Sequence, residues 1–327
     1  MTDPATAATA PAPPGRPHPL FGRAAGVLAV GIGGGGDVVG ALAVADVARH
    51  AGLTARVGGV TWERRPIDPI PGPRRLDEVE GAEPLVDGAV LAGQGTRGPG
   101  GFLFAEANMA RVIGEPVVLV DPNGGPRAAA ATLDAAAAKL RCDLVALVDV
   151  GGDVLAHGDE PGLASPLCDS VLLAATRFMT TPTVGVVFGA GCDGELRPAE
   201  VLERIAELAA AGGLLGAWGL TPEAITRLEA VVAVVPTEAS AQALACARGG
   251  FGETTIRQGR RTVELSPVGA MSFFFDCTRA IEGPARLAAA VADADSLEAA
   301  EAVIAGLGIR SELAYEREMA AASAPPQ

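Results

Sequence analysis

The chain has 327 residues, enough to bury a sizeable core in one large domain or two ordinary ones. Its formal net charge of -14 excludes a general nucleic-acid binder, which needs a basic footprint. It leaves room for a small phosphorylated ligand, because a site is local and net charge is global. The five cysteines, Cys142, Cys168, Cys192, Cys246 and Cys277, form no C-x-x-C pair, so neither a disulfide framework nor a structural zinc site is expected. Reduced thiols point to the cytoplasm. The most apolar stretch, Val27–Ala48, is cut by glycines and carries Asp37 and Asp46, so no membrane span is expected.

Residues 1–20 are rich in Pro and Ala, lack a hydrophobic signal core and read as a disordered tail. Ala24–Ile32 is a buried strand ending in glycines, and Asp37–Ala51 has Val38, Leu42, Ala45 and Ala48 at helical spacing. Thr54–Val60 is a second strand. "TWERRPIDPIPGPRRLDEVEGAEP" is Pro-rich and charged, which predicts a long loop. Val90–Ala92 reads as a short strand before "GQGTRGPGG", a candidate lid with Thr96 and Arg97 at its tips. Helices are expected at Phe102–Ile113, Arg127–Leu140, Pro166–Met179 and Pro198–Ala211. Strands are expected at Val117–Val120, Leu144–Val148 and Thr183–Phe188. Short apolar strands alternating with helices predict a Rossmann-like α/β fold, a mostly parallel sheet with helices on both faces.

Past residue 220 the pattern changes. Thr221–Leu228 and Thr237–Arg248 read as helices, "ETTIRQGRRTVELSP" as a hairpin turning near Gly259, "SFFFD" as a short strand and Ser296–Ala305 as a closing helix. Residues 220–318 either extend the sheet or form an α+β appendage. With no linker in between, 21–318 is expected to be a single domain, followed by a disordered tail at 319–327.

In an open parallel sheet, ligands sit beyond the strand carboxyl ends. Gly31, Gly33, Gly34, Gly35 and Gly36 match G-x-G-x-x-G between a strand and a helix, where backbone amides can meet an anion. The acid that a dinucleotide site needs about 20 residues on is displaced to Glu63, with Arg64 and Arg65 following. Those arginines suit a phosphate or a solvated loop face. Asp37 reads either as a helix cap or as a ligand to a hydroxyl or metal. After the strand Leu144–Val148, Asp149, Gly151, Gly152 and Asp153 offer two carboxylates to a cation such as Mg²⁺, or an Asx-type turn. His157 reads as a solvent-exposed loop histidine rather than as a general base. After the strand Thr183–Phe188 come Gly191, Cys192, Asp193 and Glu195. Cys192 is a nucleophile only if exposed and acidified. Three strand ends thus carry glycines and then an acid, which predicts one shared site on one sheet edge. Asp149, Asp153 and Asp193 are the catalytic candidates.

"GGGGDVVGA", "TWERRPIDPIPGPR", "VDVGGDVLAHGDEPGLASPLCDS" and "GAGCDGEL" together resemble the DUF1152 family of proteins of unknown function, over about Gly22 to Arg317. The resemblance implies one continuous domain and no transferable activity. The expectation from the residues is an enzyme acting on a nucleotide or another phosphorylated, hydroxyl-rich small molecule. Hydrolysis or group transfer, Mg-assisted or not, fits best. The alternatives are an NAD(P)-dependent oxidoreductase, with Glu63 or Arg64 at the ribose, and a non-catalytic nucleotide-binding regulatory module. A homo-oligomer is expected on general grounds.

Overall fold

The strands β1 (Gly26–Gly31), β2 (Thr54–Val60), β3 (Glu80–Val86), β4 (Ala89–Arg97), β5 (Val117–Val120), β6 (Leu144–Val150), β7 (Thr183–Phe188), β8 (Leu214–Gly219), β9 (Gly252–Ile256), β10 (Arg261–Leu265) and β11 (Met271–Phe275) alternate with eleven α-helices in a computed structural model that describes residues 18–65 and 67–323. The helices are α1 (Asp37–His50), α2 (Ala105–Ile113), α3 (Gly125–Leu140), α4 (Pro166–Ala175), α5 (Pro198–Ala210), α6 (Pro222–Val232), α7 (Ala239–Ala247), α8 (Cys277–Glu282), α9 (Arg286–Val291), α10 (Leu297–Gly306) and α11 (Glu312–Ser323). β1, β5 and β6 are buried at every position, so both faces of the sheet need helical cover. α1 and α6 cover one face and α3, α4 and α9 the other, giving two apolar layers that meet only through the sheet.

Nine strands form the main sheet, in the order β3-β4-β5-β2-β1-β6-β7-β11-β8. The five central strands, β5-β2-β1-β6-β7, are parallel. The chain winds outwards from β1 on one side and from β6 on the other. The crevice between β1 and β6 is therefore the topological switch point, where open α/β sheets bind ligands. Its floor is fixed by the register that pairs Gly31 with Val148 and by the Ile32 amide, which donates to the Val148 carbonyl at 3.0 Å.

The Rossmann-like reading holds, with antiparallel additions at both edges. β3 and β4 form a hairpin where a long loop was expected. Its two-residue Asp87-Gly88 turn places Gly88 at φ +78°, a left-handed conformation suited to glycine. The flexible lid expected at "GQGTRGPGG" begins as the end of β4. Thr96 there is fully buried, and its hydroxyl joins Gly93 to Gly81. Of the last third, β11 and β8 extend the main sheet, whereas β9 and β10 form a separate two-stranded arm.

The tails also differ from expectation. Leu20 and Phe21 are buried in the core, and Phe21 packs edge-on against Phe274 at 5.6 Å. α11 runs past residue 318 to Ser323. Residues 1–17 and 324–327 of the expected tails lie outside the described residues. Among the described residues no helix is long and apolar enough to cross a membrane.

Gly40 marks how closely α1 lies on the sheet. A Cβ there would sit 2.6 Å from Val150 Cγ2 and 3.2 Å from Phe188 Cδ1. Gly40→Ala gains about 1 kcal/mol of helix propensity. Overpacking against a rigid strand costs about 1–3 kcal/mol. The clash wins, and a lowered urea midpoint for Gly40→Ala is the expected outcome.

Candidate functional site

Each of the three adjacent strands β1, β6 and β7 ends in a glycine turn that delivers carboxylates to the crevice. Asp37 opens α1. Its Oδ2 accepts the Gly33 amide at 2.9 Å, so the carboxylate folds back over its own loop. Asp149 lies within β6, and its Oδ2 accepts the Val154 amide at 3.3 Å. Asp153 follows Gly151 and Gly152, whose φ of +138° and +117° turn the chain back over the strand end. Asp193 follows Gly191, and the Gly191 amide donates to the Gly151 carbonyl at 2.7 Å, tying the two loops together.

A fourth carboxylate completes the centre. Asp169 stands in the first turn of α4, and one oxygen from each of Asp37, Asp149 and Asp169 lies within 4.8 Å of the others. Asp149 and Asp169 are almost fully buried, and Asp169 Oδ1 has no hydrogen-bond partner among the described residues. Asp153 is 5 % exposed, and its Oδ2 is likewise without a partner. Gly33 is required here by space. A Cβ on it would lie 2.6 Å from Asp37 Oδ2 and 3.0 Å from Asp169 Oδ2. Gly151 plays the same part for Asp193, whose carboxylate a Cβ would overlap.

The other expected site residues are engaged within the protein. Glu195 accepts the Ala164 and Ser165 amides at 2.7 and 2.8 Å, the Ser165 hydroxyl, and Arg261 Nη1 at 2.8 Å. It therefore fastens the loop before α4 to the β10 arm. Glu63 accepts the first amide of α2, at Ala105. Arg64 donates to the Gly33 carbonyl, pairs with Glu312 at 3.3 Å and stacks on Trp62 at 4.4 Å. Both Glu63 and Arg64 hold the second loop in place, and neither is left facing a ribose. The Gly35 amide donates to the Trp62 carbonyl at 2.9 Å. The Gly34 and Gly36 amides have no protein hydrogen-bond partner among the described residues.

His157 pairs with Glu207 at 3.0 Å on α5. Cys192 is buried, and its contact with Cys246, with burial second, pushes the thiol up, which removes it as a thiolate nucleophile. Sequence reasoning missed Asp169, Glu106, Glu312 and Glu316. Glu312 accepts the Leu167 and Cys168 amides at 3.0 and 2.9 Å, so a protein carboxylate fills the anion position at the start of α4. Only "PLCDS" hinted at Asp169, as an acid one turn into a helix. Glu312 and Glu316 look like ordinary surface acids on a polar helix.

Burial dominates the electrostatics. It pushes Asp37 up to about 7, against the opposing Gly33 hydrogen bond and Arg64. It pushes Asp193 up to about 8, with Glu195 adding to the effect. Asp149, Asp153 and Asp169 are driven well above the carboxylate range by burial first and by neighbouring carboxylates second, Asp37 for Asp149 and Asp149 for Asp153 and Asp169. Glu63 is raised to about 7 by burial first, with Asp68 adding to it, and Glu106 is raised well above the carboxylate range by burial first and Glu63 second. Glu195 alone is lowered, because Arg261, Ser165 and the Ala164 amide outweigh its burial. A divalent cation is the natural counter-charge for oxygen ligands crowded in this way.

An acid-lined crevice at the switch point of a Rossmann-like sheet defines an α/β protein with a candidate cation and ligand centre. The chain belongs to the DUF1152 family, described as a protein of unknown function, whose family model matches residues 28–320. No curated protein and no solved structure matches the chain.

The raised acids fix the sign of a pH effect. The folded state keeps protons on Asp37 and Glu63 up to about 7 and on Asp193 up to about 8, whereas ordinary carboxyls lose them near 3.8 to 4.5. Between those limits the folded state binds more protons than the unfolded one, so stability falls as pH rises. The metal-free protein is expected to melt several degrees higher at pH 5.5 than at pH 8.5. Equal or reversed melting temperatures in EDTA would contradict the burial of these acids.

Proposed function

We propose that the protein is a divalent-cation-dependent enzyme acting on a nucleotide or another phosphorylated, hydroxyl-rich small molecule, by hydrolysis or group transfer. The observation that carries this reading is the convergence of Asp37, Asp149 and Asp169, with Asp169 Oδ1 buried and unpartnered among the described residues. Three carboxylates from α1, β6 and α4 within ligand distance suit Mg²⁺ or Mn²⁺, which take oxygen donors. A cation held there would neutralise a phosphoryl group and polarise its oxygen.

The protein's own part is to orient the substrate and to move one proton. Asp153 is buried beside Asp149 and has a free oxygen. It accepts the proton of the attacking water or hydroxyl as that oxygen bonds to phosphorus. The bond from phosphorus to the leaving oxygen then breaks, and the electron pair departs with that oxygen. Burial first, and Asp149 second, raise the proton affinity of Asp153, which makes its carboxylate a stronger base when ionised. The Gly34 and Gly36 amides and the Asp193 carboxyl remain for phosphate oxygens and hydroxyls respectively.

Mn²⁺ titration followed by electron paramagnetic resonance tests the centre. Asp149→Asn and Asp169→Asn are expected to weaken Mn²⁺ binding at least tenfold. In EDTA at pH 8 the same substitutions are expected to raise the melting temperature, since each removes a buried acid from a crowd of acids. Wild-type protein that binds no divalent cation would refute the reading.

Turnover is tested with a panel of nucleotides and sugar phosphates plus Mg²⁺ or Mn²⁺, monitoring phosphate release and product formation. Asp153→Asn is expected to lose roughly 10²–10⁴ in rate while keeping Mn²⁺ affinity, the span that general-base catalysis contributes.

A further inference from the structure

The β9–β10 arm crosses the mouth of the site and carries its arginines there. Arg261 on β10 reaches Glu195 Oε1 at 2.8 Å and the Asp193 carbonyl at 3.2 Å. The arm lies directly on the β7 loop, since a Cβ on Gly194 would be 3.1 Å from the Thr262 carbonyl and 3.3 Å from Arg261 Cβ. Its turn is tied to the other side of the crevice. The Arg257 amide donates to Glu238 Oε2 at 3.0 Å, next to Thr237, whose side chain leaves Gly36 no room for a Cβ. Arg257 is thereby held between the glycine loop before Asp37 and the loop bearing Asp193.

The three guanidinium groups in this region are bound very differently. Arg64 is fixed to the Gly33 carbonyl and Glu312, and Arg261 to Glu195 and the Asp193 carbonyl. Arg257 has one loose ion pair, 3.5 Å from a half-exposed Glu238, and 39 % of its side chain is exposed. A pair this exposed is weak, so a ligand anion can take its place. Arg257 and Gln258 also adopt φ of +55° and +59°, a conformation that costs most side chains energy and that clusters at functional sites. Arg257 lies close enough to Arg261, Glu195 and Asp193 for their charges to act on it. Burial and the repulsion of Arg261 pull it below the ordinary arginine value. An anion placed between the two guanidinium groups relieves that repulsion.

We propose that Arg257 is the anion-contacting, specificity-determining residue of the site, selecting substrates that carry a terminal phosphate group. The proposal rests on the cation-dependent reading above and assigns the far end of the substrate. The cation centre holds the inner charge, and the arm clamps the outer phosphate through a guanidinium fork suited to it.

The test uses the full chain, with Mn²⁺ alone and inorganic pyrophosphate as probes. Pyrophosphate binding is measured by calorimetry with and without saturating Mg²⁺, and Mn²⁺ binding by electron paramagnetic resonance. Arg257→Asn keeps a residue that accepts positive φ, so the turn is preserved. It is expected to weaken pyrophosphate binding at least tenfold and to change Mn²⁺ affinity less than twofold. Arg257→Lys is expected to fall between the two, keeping charge without the fork. Arg260→Ala removes the same charge from the same turn, and near wild-type affinity is expected for it.

Unchanged pyrophosphate affinity in Arg257→Asn overturns the proposal, as does an equal loss in Arg260→Ala. Wild-type protein that binds pyrophosphate under neither condition also overturns it. Failure of the cation reading shows separately, as absent Mn²⁺ binding in wild-type protein. An Arg257-dependent pyrophosphate affinity that persists without Mg²⁺ in that case would leave the clamp standing alone.

Discussion

The structure is organised around a surplus of buried carboxylates at one edge of its sheet. Glu63, Glu106, Asp149, Asp153, Asp169, Asp193 and Glu195 are buried there, and Asp37 is nearly so. Burying an unpaired charge is among the most expensive acts in folding, so each acid must be paired, protonated or given a cation. The first two solutions occur here, and the third is the one proposed for the central acids. Glu195 is paired, with Arg261 and backbone amides satisfying it. Glu63 and Glu106 are buried, and burial favours their protonation. Asp37, Asp149 and Asp169 form no salt bridge among the described residues, and that shortage is what the proposed cation would make good.

The constraint also explains the glycines. In a phosphate loop, glycines let backbone amides approach an anion. Here Gly33 and Gly151 make room for carboxylates, and a Cβ at either position would collide with Asp37 or Asp193. The Gly33 and Gly35 amides are held by Asp37 and Trp62. The loop resembles a dinucleotide loop in spacing because both need a tight turn at a strand end. They differ in which charge the turn is built to receive.

Much of this was legible in the sequence. Strand ends followed by glycine and acid are a local signal, and the parallel winding of β1, β6 and β7 converts them into one edge. Asp37, Asp149, Asp153 and Asp193 were therefore found without coordinates. Asp169 escaped because an acid in the first turn of a helix has an ordinary explanation in the helix dipole. α11 escaped for the opposite reason to most missed helices. Its buried face is acidic, with Glu312 and Glu316 four residues apart, and pattern reading assigns such a face to solvent. The β3–β4 hairpin was announced by Asp87-Gly88 and hidden by the surrounding prolines and charges, which an edge strand tolerates.

α11 also shows how the site is held rigid at its rear. Glu316 accepts Trp62 Nε1 at 3.1 Å and the Gly72 amide at 2.8 Å, while Glu312 caps α4, the helix that carries Asp169. Arg64 joins both glutamates to the Gly33 carbonyl. The C-terminal helix, the second loop, the glycine loop and α4 thus form one hydrogen-bonded unit behind the acids. The side towards the β9–β10 arm is fastened through Arg261 and only loosely through Arg257. A site locked at the back and adjustable at the front would suit the proposed centre, which needs fixed cation ligands and an outer end that admits a substrate.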